Sequence, residues 1–200
     1  MNQWLIVPAL LAALLHAIAN GIYTFFAVTG KNKPNAASWG IWAFLSLLSG
    51  LSYAQITDWV AGAQFISQTV TLLVSFFIML FAGRLSRLKK EEWWYLITGV
   101  VAAIIWYVYQ SAAAANFIVL VVTAVSFWPT VKALYHEPWR ERPLPWWLLV
   151  TAFAITLGVV IAKNGILSIG VISPLTMLTL NIAVATLASR RNIQNGHHKE

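Results

Sequence analysis

Apolar runs of bilayer length recur from one end of this chain to the other, and that recurrence leaves it very few folds. Roughly 17–25 apolar residues match the ~30 Å hydrocarbon core of a membrane, where the need to pair backbone groups forces each run into a helix. Such runs fall at Trp4–Val28, Trp39–Ile56, Trp59–Ala82, Trp93–Gln110, Ala113–Tyr135, Trp146–Ala162 and Ile166–Ser189. With 60% of 200 residues hydrophobic and 10% charged, the chain departs from the soluble norm of about 45–50% and 25%. The loops are too short for an independent soluble domain. The first run has neither a charged leader nor a small-residue cleavage site, so it reads as a span and not as a removed signal peptide.

Orientation follows from the basic residues, because carrying Lys or Arg through hydrocarbon costs about 2.5–3.5 kcal/mol. With seven spans, Lys31, Lys33, Arg84, Arg87, Lys89, Lys90, Lys132, Arg140, Arg142, Arg190, Arg191 and Lys199 share one side and Lys163 stands alone on the other. Without the fourth span the split is seven against six, which is no segregation. The expected protein is all-α and integral to the cell or inner membrane, N-terminus outside and C-terminus cytoplasmic. Trp39, Trp42, Trp93, Trp94, Trp139, Trp146 and Trp147 fall at the expected cytoplasmic interface, with Trp4 and Trp59 at the other, so most of them read as membrane anchors. The net charge of +7 is dispersed over short turns, which points to membrane lipids as partner and to no nucleic acid. Cysteine is absent, so no disulfide or thiolate chemistry is open to the chain.

The spans repeat. Midpoints of the first three and of the last three are offset by about 107 residues, and the polar turns Lys31–Pro34 and His136–Pro138 hold equivalent places. An odd helix between two triplets keeps them parallel. The expected architecture is therefore 3+1+3: a first three-helix repeat over 1–83, a linker helix over 84–112, a second repeat over 113–189 and a cytoplasmic tail over 190–200.

The stretch Ser126–Pro138 (SFWPTVKALYHEP) resembles a PQ-loop motif, in which a proline late in the first helix of a triplet precedes a polar residue, a Lys/Tyr-rich helix end and a polar turn. With seven spans and parallel triplets, the chain resembles the PQ-loop and SWEET-like superfamily of small-solute transporters, which by fold also takes in the nicotinamide riboside transporter type. The resemblance covers the whole chain as architecture and about a dozen residues as motif. It implies alternating access with prolines as hinges, and Pro129 occupies such a place. Thr130 stands where the motif carries glutamine, and Thr24 and Phe25 stand where the first triplet would carry its motif. Pro174 lies in the seventh span, where it would remove a backbone hydrogen bond and kink the helix. Of the paired asparagines of sugar-transporting members, Asn181 is present and Ser75 replaces the other, so a sugar in particular is not implied.

Polar side chains in a bilayer face protein or water, so their spacing marks the inner face of each span. Gln64, Ser67, Gln68, Thr71 and Ser75 form one helical face, as do His16, Asn20, Tyr23 and Thr24. Shorter stripes are Ser46, Ser49 and Tyr53; Thr123, Ser126 and Thr130; and Ser173, Thr176 and Asn181. Serines and threonines in such stripes mostly bond neighbouring helices at about 0.6 kcal/mol each. Two glutamines one turn apart demand more partners, so Gln64 and Gln68 are candidates for contact with solute or cavity water. Asn20 is the expected partner of His16. Asn181 and Gln68 would hydrogen-bond a solute while Tyr23 and Trp128 stack on its ring.

The six acids, Asp58, Glu91, Glu92, Glu137, Glu141 and Glu200, all fall in expected loops or the tail. Ion-coupled carriers rely on buried carboxylates, so a downhill facilitator is expected. Glu137, Arg140, Glu141 and Arg142 read either as charges that pair across the cytoplasmic mouth and gate it or, in the plainer and favoured reading, as a solvated loop with weak ion pairs. His16 has no second ligand at metal spacing, no nucleophile and base form a pair, and the seventh span has no lysine for a retinal Schiff base, so no metal, cofactor or enzymatic role is expected. The sequence reading is a facilitator-like transporter of a small polar solute such as a sugar, nucleoside or vitamin, acting alone or as a homo-oligomer. The alternative is a non-transporting seven-helix membrane sensor or assembly subunit whose stripes only bond helices together.

Overall fold

The computed structural model describes residues 3–56, 58–85, 112–190 and eight helical positions between Trp93 and Val108. The fourth expected span, the basic run at 87–90, the side chain of Tyr53 and the tail beyond Arg190 lie largely or wholly outside the described residues. The regular elements described are helices: α1 (Ile6–Val28), α2 (Ala36–Ile56), α3 (Trp59–Phe81), α4 (Ala112–Ser126), α5 (Trp128–His136), α6 (Pro143–Asn164) and α7 (Ile172–Ser189). Five runs, Gln3–Val28, Trp59–Phe81, Phe117–His136, Pro143–Asn164 and Ile169–Ser189, are long and apolar enough to cross a membrane. The chain is an integral membrane protein.

Polarity is arranged for lipid. On α1 the buried stripe is Ala9, Ala12, His16, Ala19, Asn20 and Tyr23, while Val7, Leu10, Leu14, Ile18 and Phe25 are exposed. Alanine on the inner face lets backbones approach closely, which is how helices gain contact energy where the hydrophobic effect gives none. α1 packs between α3 and α6, α2 between α3 and α4, and α7 against α6, α4 and α5. The described helices thus close a ring in the order α1, α3, α2, α4 with α5, α7, α6.

The fifth expected span is two helices. Pro129 has no N–H to offer the carbonyl four residues back, and the chain breaks at Phe127 between α4 and α5. Pro174 does not kink the seventh span as expected. It lies in the first turn of α7, where backbone N–H groups have no intrahelical partner in any case, so nothing is lost.

The two ends of the ring are tied differently. At one end Asp58 caps α3 by accepting from the amides of Val60 and Ala61, each at 3.1 Å, and pairs with Lys163 at the end of α6. Gly165 follows with φ 81°, a conformation that closes the helix and suits glycine alone. At the other end the 29–35 loop meets the 137–142 loop: Lys33 N donates to Arg140 O at 2.9 Å and Arg142 N to Asn32 Oδ1 at 2.8 Å.

α2 and α3 pack closely at Gly50, where a Cβ would stand 2.5 Å from Thr69 Oγ1, a hydroxyl already bonded to Ser46 O at 2.7 Å. Gly50→Ala is expected to destabilise the fold by about 1–3 kcal/mol through overpacking. Gly21→Ala, with open space around its Cβ, should leave the melting temperature in detergent unchanged or raised; equal effects of the two would refute the close contact.

Candidate functional site

A cavity of about 50 Å³ lies inside the ring, walled by residues of α1, α2, α3, α4, α6 and α7. By the measure in which one water occupies about 10–15 Å³, it has room for a few waters. Its polar wall comes from His16, Asn20, Gln68 and Asn181, and its aromatic wall from Tyr23, Trp39, Trp42, Phe127, Trp146 and Phe153. No ionised side chain is among the described residues that line it.

The aromatic wall is a continuous cluster. Ring centroids lie 4.6 Å apart for Tyr23 and Trp39, 5.7 Å for Trp39 and Trp42, 4.7 Å for Trp42 and Phe127, and 5.8 Å for Tyr23 and Trp146. Trp39, Trp42 and Trp146 are buried, so they are not the interfacial anchors expected of them. Their helical spacing explains why. Trp39 and Trp42 continue the face of Ser46 and Ser49 by one turn and two, and Trp146 leads through Leu149 and Phe153 to Thr156. The remaining described tryptophans, Trp4, Trp59, Trp93, Trp94, Trp128, Trp139 and Trp147, are exposed, as anchors would be.

Each polar atom of this aromatic wall is engaged within the protein. Trp42 Nε1 donates to Ser126 Oγ at 2.8 Å, Trp39 Nε1 to Tyr23 Oη at 3.3 Å, Tyr23 Oη to Glu141 Oε1 at 2.8 Å and Trp146 Nε1 to Glu141 Oε2 at 2.6 Å. Glu141, read from sequence as solvated, is only 4% exposed. Its burial has a tertiary cause: Pro143 opens α6 and the 29–35 loop bonds back to Arg140 and Arg142, which folds the carboxylate inward between α1 and α6.

His16 meets Gln64, where the sequence suggested Asn20 as its partner. Thr156 donates its hydroxyl to Gln64 Oε1, which turns Gln64 Nε2 toward His16 Nδ1 at 3.1 Å. A neutral His16 that accepts there carries its proton on Nε2. Asn20 binds the main chain of His16 at 3.2 Å and Thr71 Oγ1 at 3.1 Å, and leaves the imidazole alone. Both ends of the Gln64 amide thus have protein partners, and Gln64 is not among the residues that line the cavity, where it was expected to meet solute. Trp128 is 61% exposed. It falls on the opposite side of α5 from the buried Thr130 and Leu134, and Phe127 holds the place at the cavity wall assigned to it.

Most hydroxyl stripes bond helix to helix or back to their own turn: Ser67 to Ala13 O at 2.8 Å, Thr130 to Ser38 Oγ at 3.2 Å, Thr24 to Asn20 O at 2.8 Å and Thr123 to Val119 O at 2.7 Å. Three buried atoms of the cavity-lining residues find no hydrogen-bond partner among the described residues: His16 Nε2, Gln68 Oε1 and Asn181 Oδ1. For Asn181 the other amide atom is engaged, with Nδ2 donating to Met177 O at 2.7 Å. An unpaired buried polar group costs about 1–3 kcal/mol, so these three are places on the inner faces where stability is given up. No family model, no curated protein and no solved structure matches the chain.

Burial pushes the Glu141 carboxyl from 4.5 up to about 7, against the hydrogen bonds from Tyr23 and Trp146 and the charge of Arg140, which pull it down. The folded protein therefore holds this proton more tightly than the unfolded chain. The resulting stability is complete below about pH 4.5 and is lost as pH rises through about 7, a change of about 3 kcal/mol. Melting temperatures in detergent between about pH 5 and pH 8 should fall for the native chain and stay nearly flat for Glu141→Gln. A slope that survives this substitution would assign it to another group.

Proposed function

We propose that the chain is a facilitator-like membrane transporter that carries a small polar solute by alternating access between two triple-helix bundles. The observation that carries this reading is the trio of unpaired atoms, because both bundles supply it: His16 and Gln68 from the first, Asn181 from the second. Groups on both sides of one chamber can hold a solute while the bundles rock about it.

The pattern of neighbours supports the duplicated 3+1+3 layout. In the first triplet α3 lies between α1 and α2, and in the second α7 lies between α6 and the α4–α5 pair. The bundles meet through α1 with α6 and through α2 with α4. First helix against second helix, twice over, is the contact pattern of a twofold axis along the membrane normal. The ties at the two ends agree, since both long loops meet at one end and both tight turns at the other. On the charge rule, the end with Lys31, Lys33, Arg140 and Arg142 is cytoplasmic. There the Tyr23, Trp146 and Glu141 contacts close the chamber, and the break at Pro129 is the hinge position.

Because the chain lacks cysteine, single Gln68→Cys and Asn181→Cys variants can be probed in the membrane with a charged, water-soluble thiol reagent. Labelling at both positions is expected, as is equilibration of a neutral polar solute into liposomes without an ion gradient. Absence of both would favour the sensor or assembly alternative, in which these residues never meet water.

A further inference from the structure

Resting on the transport reading, we infer that Glu141 is a proton-operated latch on the end of the chamber that the charge rule makes cytoplasmic: protonated, it holds that mouth shut, and loss of its proton to the cytoplasm opens it. The geometry comes first. Glu141 lies in the loop before α6, only 4% exposed, and accepts from Tyr23 Oη at 2.8 Å and from Trp146 Nε1 at 2.6 Å. Tyr23 belongs to α1 in the first bundle and Trp146 to α6 in the second, and both side chains line the cavity. Trp39 of α2 extends the network by donating to Tyr23 Oη at 3.3 Å. At this end α1 cannot part from α6 without breaking a bond to the carboxyl, and the same movement brings water to it.

The charge on the carboxyl decides which position is favoured. Both of its bonded neighbours are neutral, and among the described residues the nearest cation in the loop, Arg140, pairs with Glu137 at 3.1 Å instead. Around the latch, the 29–35 loop adds Lys31 and Lys33, α5 adds Lys132 and His136, and Arg142 follows in sequence. α1 adds Tyr23 itself and, two turns deeper, His16; α2 and α7 carry no charged side chain, and α6 carries only Lys163 at its far end. An ionised Glu141 is therefore poorly solvated in the shut mouth and well solvated in the open one, whereas a protonated Glu141 keeps a bond to each bundle without that penalty. The bonds from Tyr23 and Trp146 strengthen on ionisation and act the other way. Burial outweighs them and holds the carboxyl at about 7 against an ordinary 4.5. With the open mouth at the ordinary value, the ratio of open to shut should rise about tenfold between about pH 6 and pH 8.

The test uses the full chain in membrane vesicles with the 29–35 loop facing outward. It carries Leu120→Cys, a cavity-lining position outside the latch, and is probed with a negatively charged methanethiosulfonate. Thiolate chemistry alone speeds labelling as pH rises, and the same reporter with Glu141→Gln, whose side chain stays neutral, measures that rise by itself. From about pH 6 to pH 8, labelling of the protein with Glu141 should accelerate about tenfold more than labelling of Glu141→Gln, which should be the slower at both. Tyr23→Phe removes a bond that favours the ion, so with it the added rise should move to higher pH. Melting temperatures check folding, and should Glu141→Gln fail to fold, the displacement in Tyr23→Phe still decides. Equal pH dependence with and without Glu141, faster labelling of Glu141→Gln, or an unmoved rise in Tyr23→Phe overturns the latch and leaves transport standing. Absence of labelling from either face overturns both.

Discussion

Gln64 joins three helices at one point, and the chamber depends on it. Its amide oxygen takes the Thr156 hydroxyl from α6 and its amide nitrogen faces the His16 imidazole of α1. In lipid, such bonds supply direction that apolar packing lacks, since hydrocarbon tails compete equally for every apolar side chain. The bond does more than hold α1, α3 and α6 together. By occupying Nδ1 it fixes the tautomer of His16, and so decides that a donor and not an acceptor remains free beside the cavity.

Above this point the ring is closed by a second polar cluster of opposite character. Glu141 takes a hydrogen bond from Tyr23 on α1 and another from Trp146 on α6, so a single carboxylate spans the seam between the two triplets. Its neighbours are aromatic, and the Arg140 guanidinium is also drawn to Glu137, at 3.1 Å. A buried carboxylate held mainly by neutral donors is costly in its charged form, which is why its proton is retained up to about pH 7. The far end uses a partly exposed pair, Asp58 with Lys163, at a helix start and a helix end. Exposed pairs of this kind contribute under about 1 kcal/mol. The two ends of the seam thus differ in kind: one is tied by buried aromatic and carboxyl groups, the other by an ion pair over a buried aliphatic cluster that includes Leu5, Val60 and Val159.

What could be read from the residues alone was whatever a helical period carries. The faces of α1 and α3 were legible because Asn20, Tyr23, Gln68 and their neighbours recur every three or four positions, and all three line the cavity. The chamber's aromatic half was hidden by a genuine degeneracy: a tryptophan near a span end serves equally well as anchor or as wall. Phase resolves it, since Trp39 and Trp42 share a face with Ser46 and Ser49 whereas Trp128 is out of phase with Thr130 and Leu134. Glu141 carried no such signal. Its burial depends on the 29–35 loop, more than a hundred residues earlier in the chain, folding over it through Asn32 and Lys33.

The hydroxyls and the amides of the inner faces have parted company, and geometry accounts for it. A serine or threonine hydroxyl reaches a carbonyl three or four residues back on its own helix, as Thr24, Thr71 and Thr123 do, and is satisfied without help from outside. An asparagine or glutamine carries two polar atoms pointing apart. One can turn back to the helix, as Asn181 Nδ2 does to Met177 O, but the other is then directed away from it. An amide on an inner face therefore needs a neighbouring helix or a guest. Gln64 has the helices, through Thr156 and His16, while Gln68 and Asn181 keep an unmatched oxygen. The sequence stripe treats Gln64 and Gln68 alike, whereas their hydrogen bonding sets them apart.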